Sequence, residues 1–556
     1  MTITRAVPLS WFPQSLSDCE DSTPVFPGAM NSMQNLIPDP RTKNVWLCRP
    51  AAILMVDFSQ KGGEFSSAFS NAFDVGLTNN SSFISCLKVI GSRAYGMVAS
   101  STHPGFDIPF SYNIVTGQFE IVSGVTSSNI PVSPVSTGAW TPPTADLIGV
   151  KLTITHPGFN GSGNGYVGWI DVSDPTAPAW SSGNTATTNL PAVPIAVKQF
   201  FGRAYYAVNP STGQPGAYWS DALDPTTITH GTQVITFGDN IPITAFGALP
   251  LNNQLGGIIQ SLMVFKGLSN IYQVTGDSTT LSINALNVAT GTLAPNSICS
   301  TPKGLAFMAP DGIRIIDFNA NVGDPIGLSG SGMTLPFIYA VVPSRVAAAC
   351  NMGVIRISVQ DGSDPGNPHE EYWYDMMRQM WSGAHTFPAS LIQPYSNTFV
   401  VAPYNVPAKL FQSDCVQNAT STFVENGTAM SFIFKTSLLP NTGKIASNYI
   451  SETTIDMALA TGGSYGVLAI GPQGSVIDTV VIAAPSGSSA IWGQFTWGQA
   501  NWGSTVSSIA PNKVNWTIPI VTDQMYLQVT GLCAAGVKFG KIYMRYSILG
   551  YLANAA

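Results

Sequence analysis

Charge is what this sequence has least of. Of its 556 residues only 53 are Asp, Glu, Lys or Arg, where a soluble globular chain usually carries about 25%. So little charge predicts that other protein covers much of the surface. Long apolar runs are missing too: stretches such as Ala51 to Val56 are soon broken by charge or Gly, so no run of ~18 apolar residues spans a bilayer. Cysteine is sparse and scattered. Cys19, Cys48, Cys86, Cys299, Cys350, Cys415 and Cys533 form no CxxC pair, which excludes a zinc or disulfide framework and predicts reduced, mostly buried thiols. Basic clusters are absent, and the net charge of −7 argues against a surface that grips phosphate. Met1 to Trp11 carries Arg5 and Pro8 rather than a basic segment and an apolar core, so no export leader is expected.

What the chain does have is turn chemistry and apolar bulk. Gly 53 and Pro 40, with 45% apolar residues, supply frequent turns and ample core, while the helix formers Glu and Lys are few. The expected fold class is all-β. Residues 1–40 are rich in Pro, Ser and Asp without periodicity, a pattern expected of an extended N-terminal arm.

Internal repeats set the expected architecture. Trp169-x-Asp171-x-x-Asp174-Pro175-Thr176 returns as Trp219-x-Asp221-x-x-Asp224-Pro225-Thr226, an offset of 50 residues. His103-Pro104-Gly105-Phe106 returns as His156-Pro157-Gly158-Phe159 after 53, and Arg93-Ala94-Tyr95 returns as Arg203-Ala204-Tyr205 after 110. Looser echoes run on to Phe399 to Ser413. A period of about 40 to 50 residues suits a β-propeller blade of four strands, so six or seven blades are expected over 41–428. In that frame the repeated Asp residues end strands in Asx-type turns and the Trp residues pack between blades.

Beyond about residue 425 the pattern changes to two-residue alternation. Ile455, Met457 and Leu459, then Met525, Leu527 and Val529, then Ile542, Met544, Tyr546 and Ile548 each occupy one face of a strand, as in a β-sandwich. The charge balance shifts as well: residues 430–556 hold six Lys/Arg and four Asp/Glu, leaving −9 for residues 1–429. A C-terminal sandwich over 429–556 is expected.

Catalytic constellations are scarce. No histidine has a partner at metal-ligand spacing; His369-Glu370-Glu371 lacks a second His four residues on, and its Gly/Pro-rich approach argues for a loop. There is no P-loop, dinucleotide fingerprint, nucleophile elbow or sialidase Asp box. Catalytic, metal and cofactor residues are therefore expected to be none. Trp492, Trp497 and Trp502, each followed by Gly at five-residue spacing, fit neither a helix face nor a flat strand. Such aromatics suit a protein contact, with carbohydrate stacking the other reading.

Taken with Asn35-Leu-Ile-Pro-Asp-Pro40 leading into Val45 to Pro50, Gly202-Arg203-Ala204-Tyr205 with Trp219-Ser220-Asp221, Leu262 to Tyr272, Gly304 to Gly312 with Ile313 to Phe318, and Lys538 to Arg545, the chain resembles the tail nozzle proteins of short-tailed bacteriophages. The resemblance implies a virion protein, assembled as a homohexameric ring of propeller-plus-sandwich subunits. Its implied partners are the adaptor ring on the portal, tail fibre or spike proteins, and a tip plug or needle, with DNA passing through unbound. This sequence is poorer in charge than the family's better-known members, so no specific salt bridge is carried over. The alternative class is a receptor-binding or carbohydrate-degrading tail protein.

Overall fold

The computed structural model describes residues 7–11, 30–61, 83–99, 106–126, 128–132, 142–161, 163–183, 189–252, 258–277, 279–326, 337, 340, 342–360, 369–404, 408–418, 420–439, 446–458, 463–483 and 509–551. The chain is all-β: among the described residues its elements are strands and short 3-10 turns. No helix among them is long and apolar enough to cross a membrane.

Seven antiparallel sheets follow one another along the chain, each strand pairing with the next in sequence. They begin with Phe83–Ile90, Thr144–Ile148, Ala196–Phe200, Ile243–Asn252, Cys299–Thr301, Ala347–Asn351 and Ala389–Tyr395. Six have four strands and the fifth has three. The first strand of each sheet packs against the first strand of the next, and Ala389–Tyr395 of the last packs against Phe83–Ile90 of the first. The seventh sheet takes its fourth strand, Ile53–Asp57, from the N-terminal side, antiparallel to Lys409–Asp414. Hydrophobic cores lie between neighbouring sheets: Ile148, Val167 and Trp169 of the second meet Val197, Tyr206 and Val208 of the third.

The sequence repeats fall at equivalent places. Trp169 lies on the third strand of the second sheet, Val167–Asp171, and Trp219 ends the third strand of the third, Gly216–Trp219. Arg93 and Arg203 each open the second strand of their sheet. One period is thus one sheet.

A two-stranded hairpin, Val424–Glu425 with Thr428–Ala429, and two larger sheets form the rest of the described strands. One joins Val7–Trp11, Leu36–Pro38, Trp46–Cys48, Ala446–Ala458, Ala510–Val514, Ile520–Thr522 and Lys538–Tyr551; the other joins Met30–Gln34, Ser431–Thr436, Ser464–Ile470, Val476–Ala483 and Tyr526–Leu532. Alternate residues from both enter one core, with Phe432, Phe434, Val467, Leu527 and Val529 against Ile455, Met457, Phe539, Ile542 and Met544. Phe432 and Phe539 bring their ring centroids to 4.9 Å.

The N-terminal segment, expected as an extended arm packing on other surfaces, is built into the sheets where it is described. Its described residues are strands, Val7–Trp11 on Ile542 to Tyr546 and Met30–Gln34 on Ile433 to Thr436. Trp46–Cys48, expected with the repeats, pairs with Lys538 and Phe539 instead. Runs of three to five residues are too short to show a strand period, and pairing over such sequence distance leaves no local signal. Asn35 takes a φ of 57° between Met30–Gln34 and Leu36–Pro38. Asn tolerates this left-handed conformation, and the chain there passes from one sheet to the other.

Candidate functional site

The repeated aspartates serve their own turns. Asp171 accepts the Ser173 amide at 2.9 Å, and Asp174 accepts the Thr176 amide at 2.9 Å and its hydroxyl at 2.7 Å. Asp224 repeats the second pattern with Thr226 at 3.0 and 2.7 Å. Asp221 accepts from the Gln233 side-chain amide at 3.0 Å and from the Thr229 hydroxyl. These bonds hold the carboxyls below their usual range, led by the Thr176 hydroxyl at Asp174 and the Thr229 hydroxyl at Asp221. Trp169 is buried between the second and third sheets and Trp219 between the third and fourth. The turn residues are thus spread over separate loops, and Trp492, Trp497 and Trp502 lie outside the described residues.

His156 holds its own turn, while His103 to Gly105 of the earlier copy lie outside the described residues. Its Nδ1 accepts the Gly158 amide at 2.9 Å, leaving Nε2–H to donate to the Asp107 carboxylate at 2.7 Å. Both side chains are fully buried, so the pair has no access for a substrate and instead clamps the first two sheets together. Gly158 also accepts the Val132 amide at 3.0 Å, and a Cβ at this position would overlap the Val132 carbonyl. Gly158→Ala is expected to lower stability by about 1–3 kcal/mol through overpacking, read as a shift in urea midpoint at constant slope.

His369-Glu370-Glu371 is not in a loop. It lies on the strand His369–Asp375, because pairing with Val354–Gln360 satisfies its backbone. Glu371 is taken up in a buried ion pair with Arg356 at 2.6 Å. Among the described residues no group of three His, Cys, Asp or Glu could hold a metal ion.

Histidine ionisation is shaped by burial. Burial first, then the charges of Arg49 and Arg356, hold the His385 imidazole well below its ordinary range. Burial and Arg345 take His369 down to about 4. Both are neutral when folded, so the unfolded chain, with histidines near 6.5, binds the extra protons. Stability is therefore complete above about pH 6.5 and falls below it by up to about 1.4 kcal/mol per pH unit per histidine. His369 ceases to contribute below about pH 4. His385→Gln is expected to flatten the decline between pH 6.5 and 5 in urea titrations; an unchanged slope refutes the assignment.

Sequence reasoning missed the place where the first strands meet. Six of them, with the 3-10 turn that precedes the fifth sheet, surround a cavity of ≈ 140 Å³, with Lys88, Thr144, Lys198, Phe246, Asn296 and Gln393 among its walls. Asp146 bridges the two lysines, 2.9 Å from Lys88 Nζ and 3.0 Å from Lys198 Nζ, and accepts the Gln199 amide at 2.9 Å. Burial would raise the Asp146 carboxyl, but Lys88 and Lys198 outweigh it and hold it well below its usual range. Burial pushes the lining Cys86 thiol up to about 12. No local motif announces this trio, in which Lys88 and Lys198 lie 58 and 52 positions from the Asp146 that joins them.

No family model matches the chain, and no curated protein matches it. Solved structures resemble it at low identity. The computationally designed protein Ika8 is 10% identical with a TM-score of 0.33, over 60% of this chain and 96% of that one. A puromycin hydrolase is 10% identical with a TM-score of 0.38, over 66% of this chain and 61% of its own. The Neurospora crassa Pan2 WD40 domain is 8% identical with a TM-score of 0.36, over 61% of this chain and 91% of its own. These likenesses carry no argument about chemistry.

Proposed function

We propose that this chain is a tail nozzle subunit of a short-tailed bacteriophage, a structural virion protein rather than an enzyme. In this reading the seven sheets are the blades of a β-propeller and the other two form a β-sandwich. Subunits assemble as a homohexameric ring that retains packaged DNA and passes it during ejection. The observation that carries the reading is the union of two all-β bodies in one chain with only 53 charged residues, since charge is depleted at the cores of protein interfaces. The acidic excess of −9 over residues 1–429 suits a conduit that does not hold DNA. Aspartates engaged by their own turns favour a structural role for the repeats over a glycosidic one.

The ring would meet the adaptor ring on the portal on one side, and fibre, spike or tip proteins on the other. Assembly in the host cytoplasm would precede residence in the virion tail. Native mass spectrometry and negative-stain microscopy test the proposal, with a six-membered ring expected for the protein alone or with the adaptor complex. A monomer under both conditions sinks it. Saturable binding or cleavage of host-surface polysaccharide by that monomer would move the chain to the carbohydrate class.

A further inference from the structure

We propose that the cavity among the first strands is a binding site for a phosphate-sized oxyanion, held by Lys88 and Lys198. The cavity stands apart from the nozzle reading and requires no oligomer.

Charge is the first reason. Lys88 and Lys198 are the charged residues of the cavity wall, and Asp146, with a side chain only 11% exposed, sits between them. Two ammonium groups against one carboxylate leave an excess positive charge beside a partly enclosed space. The Cys86 thiol, pushed up to about 12, stays protonated and cancels none of it. In a chain whose net charge is −7, a positive pocket where the first strands meet is an exception to the surrounding field.

Donor supply is the second. An ammonium has three N–H donors, and each lysine gives one to Asp146 at 2.9 or 3.0 Å. Asp146 thereby fixes both lysines, one from the first strand on each side of its own, so their other donors are positioned before a ligand arrives, which reduces the ordering cost of binding. Asn296 and Gln393 add side-chain amides to the same wall. Size is the third: ≈ 140 Å³ is close to the roughly 150 Å³ that accommodates benzene in an engineered protein cavity. That space admits a tetrahedral oxyanion with a little water, and no folded partner.

Isothermal titration of the full chain with inorganic phosphate, and separately with adenosine monophosphate, tests the assignment at constant ionic strength. One saturable site per chain is expected, with Lys88→Met and Lys198→Met each weakening it about tenfold or more, as loss of a charge-assisted bond implies. Lys198→Arg keeps the charge and should retain most of the affinity. Phosphate bound in preference to the nucleotide identifies the free ion as ligand; the reverse order identifies a phosphate ester. A second readout covers variants that fold poorly: phosphate should slow reductive methylation of Lys88 and Lys198 in the wild-type chain, followed by mass spectrometry, and leave exposed Lys303 unaffected. No saturable binding of either probe, or equal methylation rates with and without phosphate, overturns the proposal.

Discussion

Glu371→Gln is expected to cost about 3–5 kcal/mol of folding stability, the range for breaking a buried ion pair from one side. Arg356 and Glu371 are 2% and 1% exposed, with Nε to Oε1 at 2.6 Å. The carboxylate also accepts the Trp373 indole N–H at 2.5 Å and, through its other oxygen, the Ala389 amide at 3.0 Å. The guanidinium donates to the Ser413 hydroxyl at 2.9 Å and lies over the rings of Trp373 and Phe399, 4.5 and 5.0 Å from their centroids. Two donors, one acceptor and two aromatic faces from the sixth and seventh sheets thus converge on one charge pair. Glutamine keeps the shape but turns one acceptor into a donor facing donors, and leaves the guanidinium without its counter-charge. Urea unfolding measures the loss. The double variant Arg356→Met with Glu371→Leu should recover much of it, since apolar replacement of a whole buried pair is often neutral; no recovery would show that hydrogen bonding to Trp373 and Ala389 dominates.

Arg49→Met is expected to destabilise by a similar margin of about 3–5 kcal/mol, with a different structural consequence. Arg49 grips Glu425 through two bonds of 2.9 and 2.7 Å and donates through Nε to Asn35 Oδ1 at 2.9 Å. Glu425 also accepts the Ala52 amide at 3.0 Å. Asn35 in turn donates its backbone N–H to His385 Nδ1 at 3.1 Å and its side chain to the Ser431 carbonyl at 2.7 Å. This network ties the sixth sheet to the strands on either side of Asn35. Methionine would leave Glu425, 7% exposed, buried without its cation. Hydrogen exchange should therefore accelerate first at Met30–Gln34 and Leu36–Pro38. Protection lost uniformly over all seven sheets would contradict the network's role as a local tie.

The repeats were legible because each sheet is a local unit. A strand, a turn and the next strand are adjacent in sequence, so the Asp-Pro turn and the Trp recur with the period of the sheet. Alternation at Ile542 and Met544 was legible for the same kind of reason: one face of a strand is buried and the other is not. The N-terminal strands were not. Leu36–Pro38 pairs with Trp46–Cys48, which continues onto Lys538–Tyr551, and a three-residue strand has no readable period. His369 to Glu371 was misplaced because a Gly/Pro-rich approach signals a turn, whereas cross-strand pairing overrides that local preference.

Composition and periodicity by themselves determined that the chain is all-β, poor in charge and built on a repeat near 50 residues, because these depend on local backbone preference and on which faces are apolar. Only the tertiary structure decided where the few charges go. Arg49 and Glu425 are 376 positions apart, and Lys88, Asp146 and Lys198 come from three successive sheets. A buried charge is tolerated only beside its partner, and which residues become partners is set by how the sheets are packed, not by any spacing along the chain.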